Sequence, residues 1–207
     1  GPTFVAGKFG NALQFDGSND YVEATGYKGV TGSGPRTMSA WIKTTDDDGY
    51  LMRWGIPSGT NGAKWHFHVQ KSNGQVGAIR VSVSGGYITG STALNDDQWH
   101  HIAAVKPEGT TDTNQVRLYV DGIYDGSTDS VDEPINTVAG DDLRIGNSDY
   151  NGLIDDVQIY GKSLSDTDVA NVYNGGYGDQ FVPPAITSAT EANATVGQAF
   201  TYQVTST

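Results

Sequence analysis

An all-β antiparallel sandwich is the fold class this sequence predicts, and three observations carry it. Short runs alternate apolar and polar residues with a period of two. Gly, Asp, Asn and Ser separate those runs, and only one stretch shows helical spacing. Strands at such intervals with turn chemistry between them build a sandwich or jelly roll rather than an α/β fold.

The strands come in order. "LQFDGSNDYVEA" (13–24) opens with Leu13 and Phe15 alternating with Gln14 and Asp16, then breaks at Gly17-Ser18-Asn19-Asp20. There follow "TMSAWIKT" (37–44), "KWHFHVQK" (64–71), "AIRVSVSG" (78–85), "WHHIAAVK" (99–106), "QVRLYVDG" (115–122), "DLRIGN" (142–147) and "LIDDVQIYG" (153–161). "KSNGQV" (71–76) holds an Asn-Gly pair and reads as a tight hairpin, and "YVDGIYDG" (119–126) turns at Asp121-Gly122. One helix closes the series. Ser165 is its N-cap with Asp168 three residues on, Leu164 is a staple, Val169, Val172 and Tyr173 share a face, and Gly175 stops it.

Beyond residue 176 the composition shifts. "GYGDQFVPPAITS" contains Pro183-Pro184, which stiffens a linker over 177–184 and blocks a central strand. In "VGQAFTYQVTST", Phe200, Tyr202 and Val204 alternate with threonine and glutamine, so 185–207 read as the first strands of a truncated Ig-like domain. The domain before it spans 3–176, and Gly1-Pro2 resemble a protease-cleavage scar.

Charge narrows the function. The 207 residues carry a net charge of −12, which opposes nucleic acid and anionic membranes as partners, and no apolar run approaches the ~20 residues of a membrane helix. Of the 24 acidic residues only Glu23, Glu108, Glu133 and Glu191 are glutamate. Aspartate is short and suits turns, caps and oxygen-ligand cages. With no cysteine, thiolate zinc, thiol catalysis and disulfides are excluded.

Five motifs fall in a familiar order: "GKFGNALQFDGSNDYV" (7–22), "MSAWIKT" (38–44), "DDQWHHIAAV" (96–105), "RLYVDG" (117–122) and "GLIDDVQIYGKSLSDTDVANVYNGG" (152–176). Over roughly 7–176 the chain resembles the LamG-like, concanavalin A-like lectin/glucanase jelly rolls of secreted bacterial proteins, and the tail resembles the Ig-like repeats that follow them. The resemblance implies an extracellular or cell-surface setting. It also implies a strand ahead of "GKFGNAL". The chain begins abruptly there, so an edge strand is expected to be missing or supplied from elsewhere.

The resemblance further implies that the first and last strands of the jelly roll are neighbours, bringing "FDGSND" beside "LIDDV". Asp16, Asn19, Asp20, Asp155 and Asp156 would then share one small volume, an oxygen-rich site for a structural Ca²⁺. Parity supports it: Leu153, Asp155, Val157 and Ile159 share one face, so Asp155 points toward the core, where a lone carboxylate is costly without a partner. The other reading is that Asp155 receives backbone hydrogen bonds and holds no ion. The pairs and runs at Asp46-Asp47-Asp48, Asp96-Asp97 and Asp141-Asp142 read as solvated turns.

Catalysis is not expected. The glutamates are scattered, the carboxylate-rich strand motif of related glucanases is missing, and no Gly-x-Ser-x-Gly elbow or P-loop occurs. His66 and His68 share a strand face with workable zinc spacing, yet the resemblance puts His100-His101 in a structural strand. Sugar binding by exposed aromatics is the stronger expectation. Tyr27, Trp54, Tyr87, Tyr124 and Tyr150 stand in loop-like contexts, Trp54 foremost because a Gly/Pro loop follows it, whereas Trp41 and Trp99 alternate with core residues. The function expected is a non-catalytic carbohydrate-binding or adhesion module with structural calcium, its partner a glycan or glycoprotein. The alternative is a structural spacer or matrix protein that self-associates through sheet edges.

Overall fold

The structure, a computed structural model, describes residues 1–56, 59–147 and 149–175, together with the backbone of Phe200–Thr201. Its strands are β1 (Thr3–Ala6), β2 (Asn11–Asp16), β3 (Val22–Ala24), β4 (Arg36–Thr44), β5 (Gly49–Gly55), β6 (Lys64–Gln70) and β7 (Ala78–Val83). There follow β8 (Gly86–Thr89), β9 (His100–Lys106), β10 (Arg117–Val120), β11 (Ile123–Tyr124), β12 (Asp129–Val131), β13 (Asp141–Ile145) and β14 (Asn151–Tyr160), then helix α1 (Asp166–Tyr173).

Two antiparallel sheets face one another. One runs β1-β2-β14-β4-β9-β10-β11, the other β12-β8-β7-β6-β5-β13-β3. Between them the alternation of each strand delivers Phe15, Met38, Ile42, Leu51, Trp54, Trp65, Phe67, Ile79 and Val81 to one continuous core. The edge strand expected to be missing is supplied by the chain itself, because Thr3–Ala6 pairs with β2 from Thr3↔Gln14 to Ala6↔Asn11.

One turn reading holds, and the tight hairpin expected at 71–76 is instead a seven-residue connection between Gln70 and Ala78. Asp121 and Gly122 take φ of 50° and 78° between Val120 and Ile123, a two-residue turn, and Gly122 leaves no room for a Cβ beside Tyr173. Asn73 and Gly74 also have positive φ, inside a longer connection from Gln70 to Ala78. The helix forms where its caps predict. Ser165 Oγ accepts the Asp168 N–H at 3.1 Å and Asp168 Oδ2 accepts the Ser165 N–H at 3.0 Å. Val169 and Val172 then bury against Ala103, Val105, Tyr119, Tyr160 and Leu164, closing the outer face of the first sheet.

Strands β5 and β8 were not expected. β5 carries apolar Leu51 and Met52 side by side, and its register with β6 shifts between Tyr50 and Met52, so strict alternation is broken there. Of the 177–184 linker and the Ig-like strands of 185–207, all but Phe200–Thr201 lie outside the described residues. Those two pair with Ile159 and Gln158 of β14, extending the first sheet.

Candidate functional site

The family resemblance implied that the acidic stretches "FDGSND" and "LIDDV" meet. β2 and β14 are indeed neighbours, with Asp16 opposite Asn151 and Leu13 opposite Ile154. That register puts Asp155 level with Ala12, four residues from Asp16 and therefore ~13 Å along the ladder. The five residues do not converge, and among the described residues no group of three or more His, Asp or Glu is arranged to hold a metal. Asp16, Asn19, Asp20, Asp155 and Asp156, expected to share one small volume, are therefore held apart in two groups, one at the β2 turn and one on β14.

Each carboxylate has protein partners instead. Asp20 Oδ2 accepts the Asp16 N–H at 3.3 Å while Oδ1 faces the Gly1 ammonium at 3.1 Å, and Asn19 is exposed in the turn. Asp155 Oδ2 accepts the Phe9 N–H at 2.9 Å and Oδ1 accepts the Asp156 N–H at 2.8 Å, so Asp155 ties the β1–β2 turn to β14. Asp156 accepts from Gln158 Nε2 at 2.8 Å, and burial raises its pKa.

The parity argument fails for a local reason. A bulge interrupts β14 between Asp155 and Gln158, with Asp156 at φ 46°. Ile154 faces the core before it and Val157 and Ile159 after it, so Asp155 lies on the outer face, opposite Trp41.

The expected sugar platforms also need correction. Trp54 is 1% exposed; it sits in β5 against Trp65, its ring leaves no space for a Cβ at Gly29, and its Nε1 donates to Val30 O at 3.0 Å. Tyr150 is fully buried against Phe15, its hydroxyl donating to Leu153 O at 3.0 Å. Tyr27 packs on the core. Tyr124 is exposed but lies at the edge of the first sheet against Tyr119. Tyr87 alone of the five stands on a broad sheet face.

That face is the outer side of the second sheet. Because Met52, Trp54, Trp65, Phe67 and Val81 point inward, their neighbours Arg53, His66 and Ser82 point outward. Register aligns them in one row across six strands: Glu23, Arg144, Arg53, His66, Ser82 and Tyr87. A second row runs Tyr50, His68, Arg80, Thr89 and Asp129. Lys64 and Ser84 flank the first row on the other side.

Part of this face is locked. Arg80 donates to Ser72 O at 2.7 Å, Asn73 O at 2.6 Å and Thr89 Oγ1 at 2.8 Å, and its guanidinium lies 4.0 Å from the Tyr87 ring. The Tyr87 hydroxyl donates to Asp129 at 2.9 Å. His68 Nδ1 is 3.1 Å from Val69 O, which can only accept, so Nδ1 holds the proton and Nε2 accepts from Ser82 Oγ at 2.8 Å. Tyr50 packs edge-on to His66 at 5.0 Å and against His68 at 5.2 Å.

Part of it is open. His66 Nδ1, Arg53 Nε and Ser84 Oγ are buried atoms without a hydrogen-bond partner. An unpaired buried polar atom costs about 1–3 kcal/mol, and a ligand or water that reached these three would relieve that cost; Trp41 Nε1 and both ring nitrogens of His101, in the first sheet, are unpaired likewise. Burial, reinforced by Lys64, His68 and Arg53, holds the His66 pKa down at about 2; burial and Arg80 hold that of His68 at about 4. Both imidazoles are neutral at physiological pH and offer one donor and one acceptor each.

The fold has relatives. Residues 16–170 match the concanavalin A-like lectin/glucanases superfamily. The chain belongs to that superfamily. Solved structures of the same fold include domains LG4-5 of the mouse laminin alpha1 chain, at 15% identity and a TM-score of 0.54, covering 80% of this chain and 45% of that one. Domain 4 of AbnA, an extracellular arabinanase of Geobacillus stearothermophilus, in complex with arabinotriose, matches at 18% identity and a TM-score of 0.53 over 84% of this chain and 81% of that chain. The CBM40 of the Ruminococcus gnavus IT-sialidase matches at 13% and 0.59 over 78% and 96%. This chain thus spans under half of the laminin pair. No curated protein matches the sequence. Among the described residues no helix is long and apolar enough to cross a membrane.

Sequence reading missed Arg53, Lys64, His66, Ser82 and Ser84 as a group. The signal was present in "KWHFHVQK", where Lys64, His66, His68 and Gln70 alternate with Trp65, Phe67 and Val69. Only strand β5, which brings Arg53 beside His66, turns that alternation into a surface.

Proposed function

We propose that this chain is a non-catalytic carbohydrate-binding module of a larger secreted or cell-surface protein, and that it binds glycan on the outer face of the second sheet. The carrying observation is the row Arg144–Arg53–His66–Ser82–Tyr87 with its unpaired donors and acceptors. Sugars are recognised by hydrogen-bonding side chains set beside aromatic surface, and Tyr50 and Tyr87 supply the latter. Superfamily membership supports the reading, as do neighbours whose structures hold arabinotriose and α2,3-sialyllactose. The carboxylates that touch the row are engaged with its own residues, Glu23 with Arg144 at 2.7 Å, Asp129 with the Tyr87 hydroxyl at 2.9 Å and Asp141 with Arg53 at 3.9 Å, which fits binding rather than acid–base chemistry.

A glycan array followed by titration tests this. Saturable binding that Arg53→Ala and His66→Ala each weaken at least tenfold is the expected result, with Tyr124→Ala unchanged. Binding that survives both changes removes the face from consideration.

Self-association has one observation in its favour. The two edges of the first sheet expose Phe4 on β1 (59%) and Ile123 on β11 (73%), and an uncovered edge can pair with another chain. Sedimentation velocity across a concentration series separates the two readings.

A further inference from the structure

Which glycan the face accepts can be argued from charge. The chain carries 24 acidic residues against 12 Lys and Arg, yet four of those cations, Arg53, Lys64, Arg80 and Arg144, stand on this one face. Two are already committed. Arg144 pairs with Glu23 at 2.7 Å and stacks on Tyr21, and Arg80 clamps the 71–77 connection.

The other two are not. Arg53 has only Asp141 at 3.9 Å through Nη1, and its Nε is buried and unpaired. Lys64 has no ion pair or hydrogen bond among the described residues, though it is only partly exposed and burial lowers its pKa. His66 lies between them: opposite Arg53 across the β5–β6 ladder and two residues from Lys64 along β6. His66 is 5% exposed with Nδ1 unpaired. Continuing the β6–β7 register by two residues sets Ser84, whose Oγ is also buried and unpaired, opposite Lys64.

Two cations, an imidazole and a hydroxyl thus meet in one patch, where the only ion pair among them is the 3.9 Å contact of Arg53 with Asp141. Neutral sugar hydroxyls would satisfy the imidazole and Ser84 but leave Lys64 without a counter-charge and Arg53 with only its 3.9 Å contact to Asp141, which is costly for partly desolvated cations. An oxyanion satisfies all four, and the bonds it accepts from Arg and Lys are charge-assisted.

Resting on the glycan reading above, we infer that Arg53, Lys64, His66 and Ser84 form a subsite for a negatively charged sugar substituent, a carboxylate or a sulfate ester. The subsite holds one such group. A densely charged polyanion would meet repulsion from a chain of net charge −12, so the fitting ligand is a mostly neutral glycan with isolated acidic residues.

Calorimetric titration with three matched probes tests the inference: a xylo-oligosaccharide bearing one glucuronic acid, the same oligosaccharide with that carboxyl reduced, and the reduced form bearing one sulfate ester. The expected result is at least tenfold tighter binding of the carboxylate or the sulfate form than of the reduced neutral one, with the advantage shrinking as salt rises. The two charged probes report which oxyanion is preferred. Lys64→Gln and Arg53→Gln should each erase the advantage with an unchanged melting temperature, and Lys64→Arg should retain it. Equal binding of charged and neutral probes overturns the anionic subsite and leaves the glycan reading standing. Failure of all three probes while other array glycans bind does the same, whereas no binding to any glycan defeats both.

Discussion

At the scale of single residues, Asp155 has the most specific task. Its two carboxylate oxygens accept the N–H groups of Phe9 and Asp156, and a Cβ at Gly7 would sit 2.5 Å from Oδ2, so the β1–β2 turn is fitted closely around it. Hydrogen bonds to a charged group contribute about 1.5–3 kcal/mol each in favourable cases. Asp155→Ala is therefore expected to lower stability by about 2–3 kcal/mol, and by the same amount in chelator as in millimolar calcium, as parallel thermal melts would read. Trp54→Ala should cost about 3–5 kcal/mol as a core truncation, measured by denaturant unfolding, because the ring is enclosed by Gly29 and Trp65. These two residues also mark the limits of reading a sequence. The buried, hydrogen-bonded alternative for Asp155 was legible. Its direction was not, because a bulge shifts the parity of β14 without leaving a Gly or Pro to announce it. Trp54 was misread because the Gly/Pro loop after it resembles the Gly/Pro context of a binding loop, while the strand it ends has no clean alternation.

Elements with local signatures were legible. The helix needed only its cap and spacing, and Ser165→Ala should cost about 1 kcal/mol by chemical denaturation, since it removes the acceptor for the Asp168 N–H. The Asp121-Gly122 hairpin needed only its dipeptide. Strands β6, β7, β9, β10 and β14 needed only alternation. β5 and β8 escaped because their evidence is tertiary. Gly49 and Gly55 bound a strand whose place is fixed by pairing on both sides, with β6 and with β13. The candidate face escaped with them: β6 supplies Lys64 and His66, but Arg53 becomes their neighbour only through the β5–β6 ladder. No local pattern encodes that adjacency, so the surface emerges from packing and not from any motif.

For the whole molecule, three histidines make stability depend on pH. Burial lowers the pKa of His66 to about 2, and of His68 and His101 to about 4. Each is protonated more readily in the unfolded chain, near pH 6.5, than in the fold. Their contribution is complete above that pH and is lost as pH falls from 6.5 toward 4, by about 1.4 kcal/mol per histidine per pH unit. Melting temperature should thus be flat from pH 8 to 7 and drop steeply below 6, with the drop reduced by His101→Phe.

The order β1-β2-β14 has a mechanical meaning. β1 and β14 both run antiparallel to β2, so they point the same way. The chain enters at Thr3, beside the end of β2 that pairs with the start of β14, and leaves β14 at Tyr160, the opposite end. A pull on the two ends, once helix α1 has peeled away, would slide these strands past one another. Their rungs would then be loaded together in shear and would not open one at a time, the arrangement in which a β-sheet bears tension best.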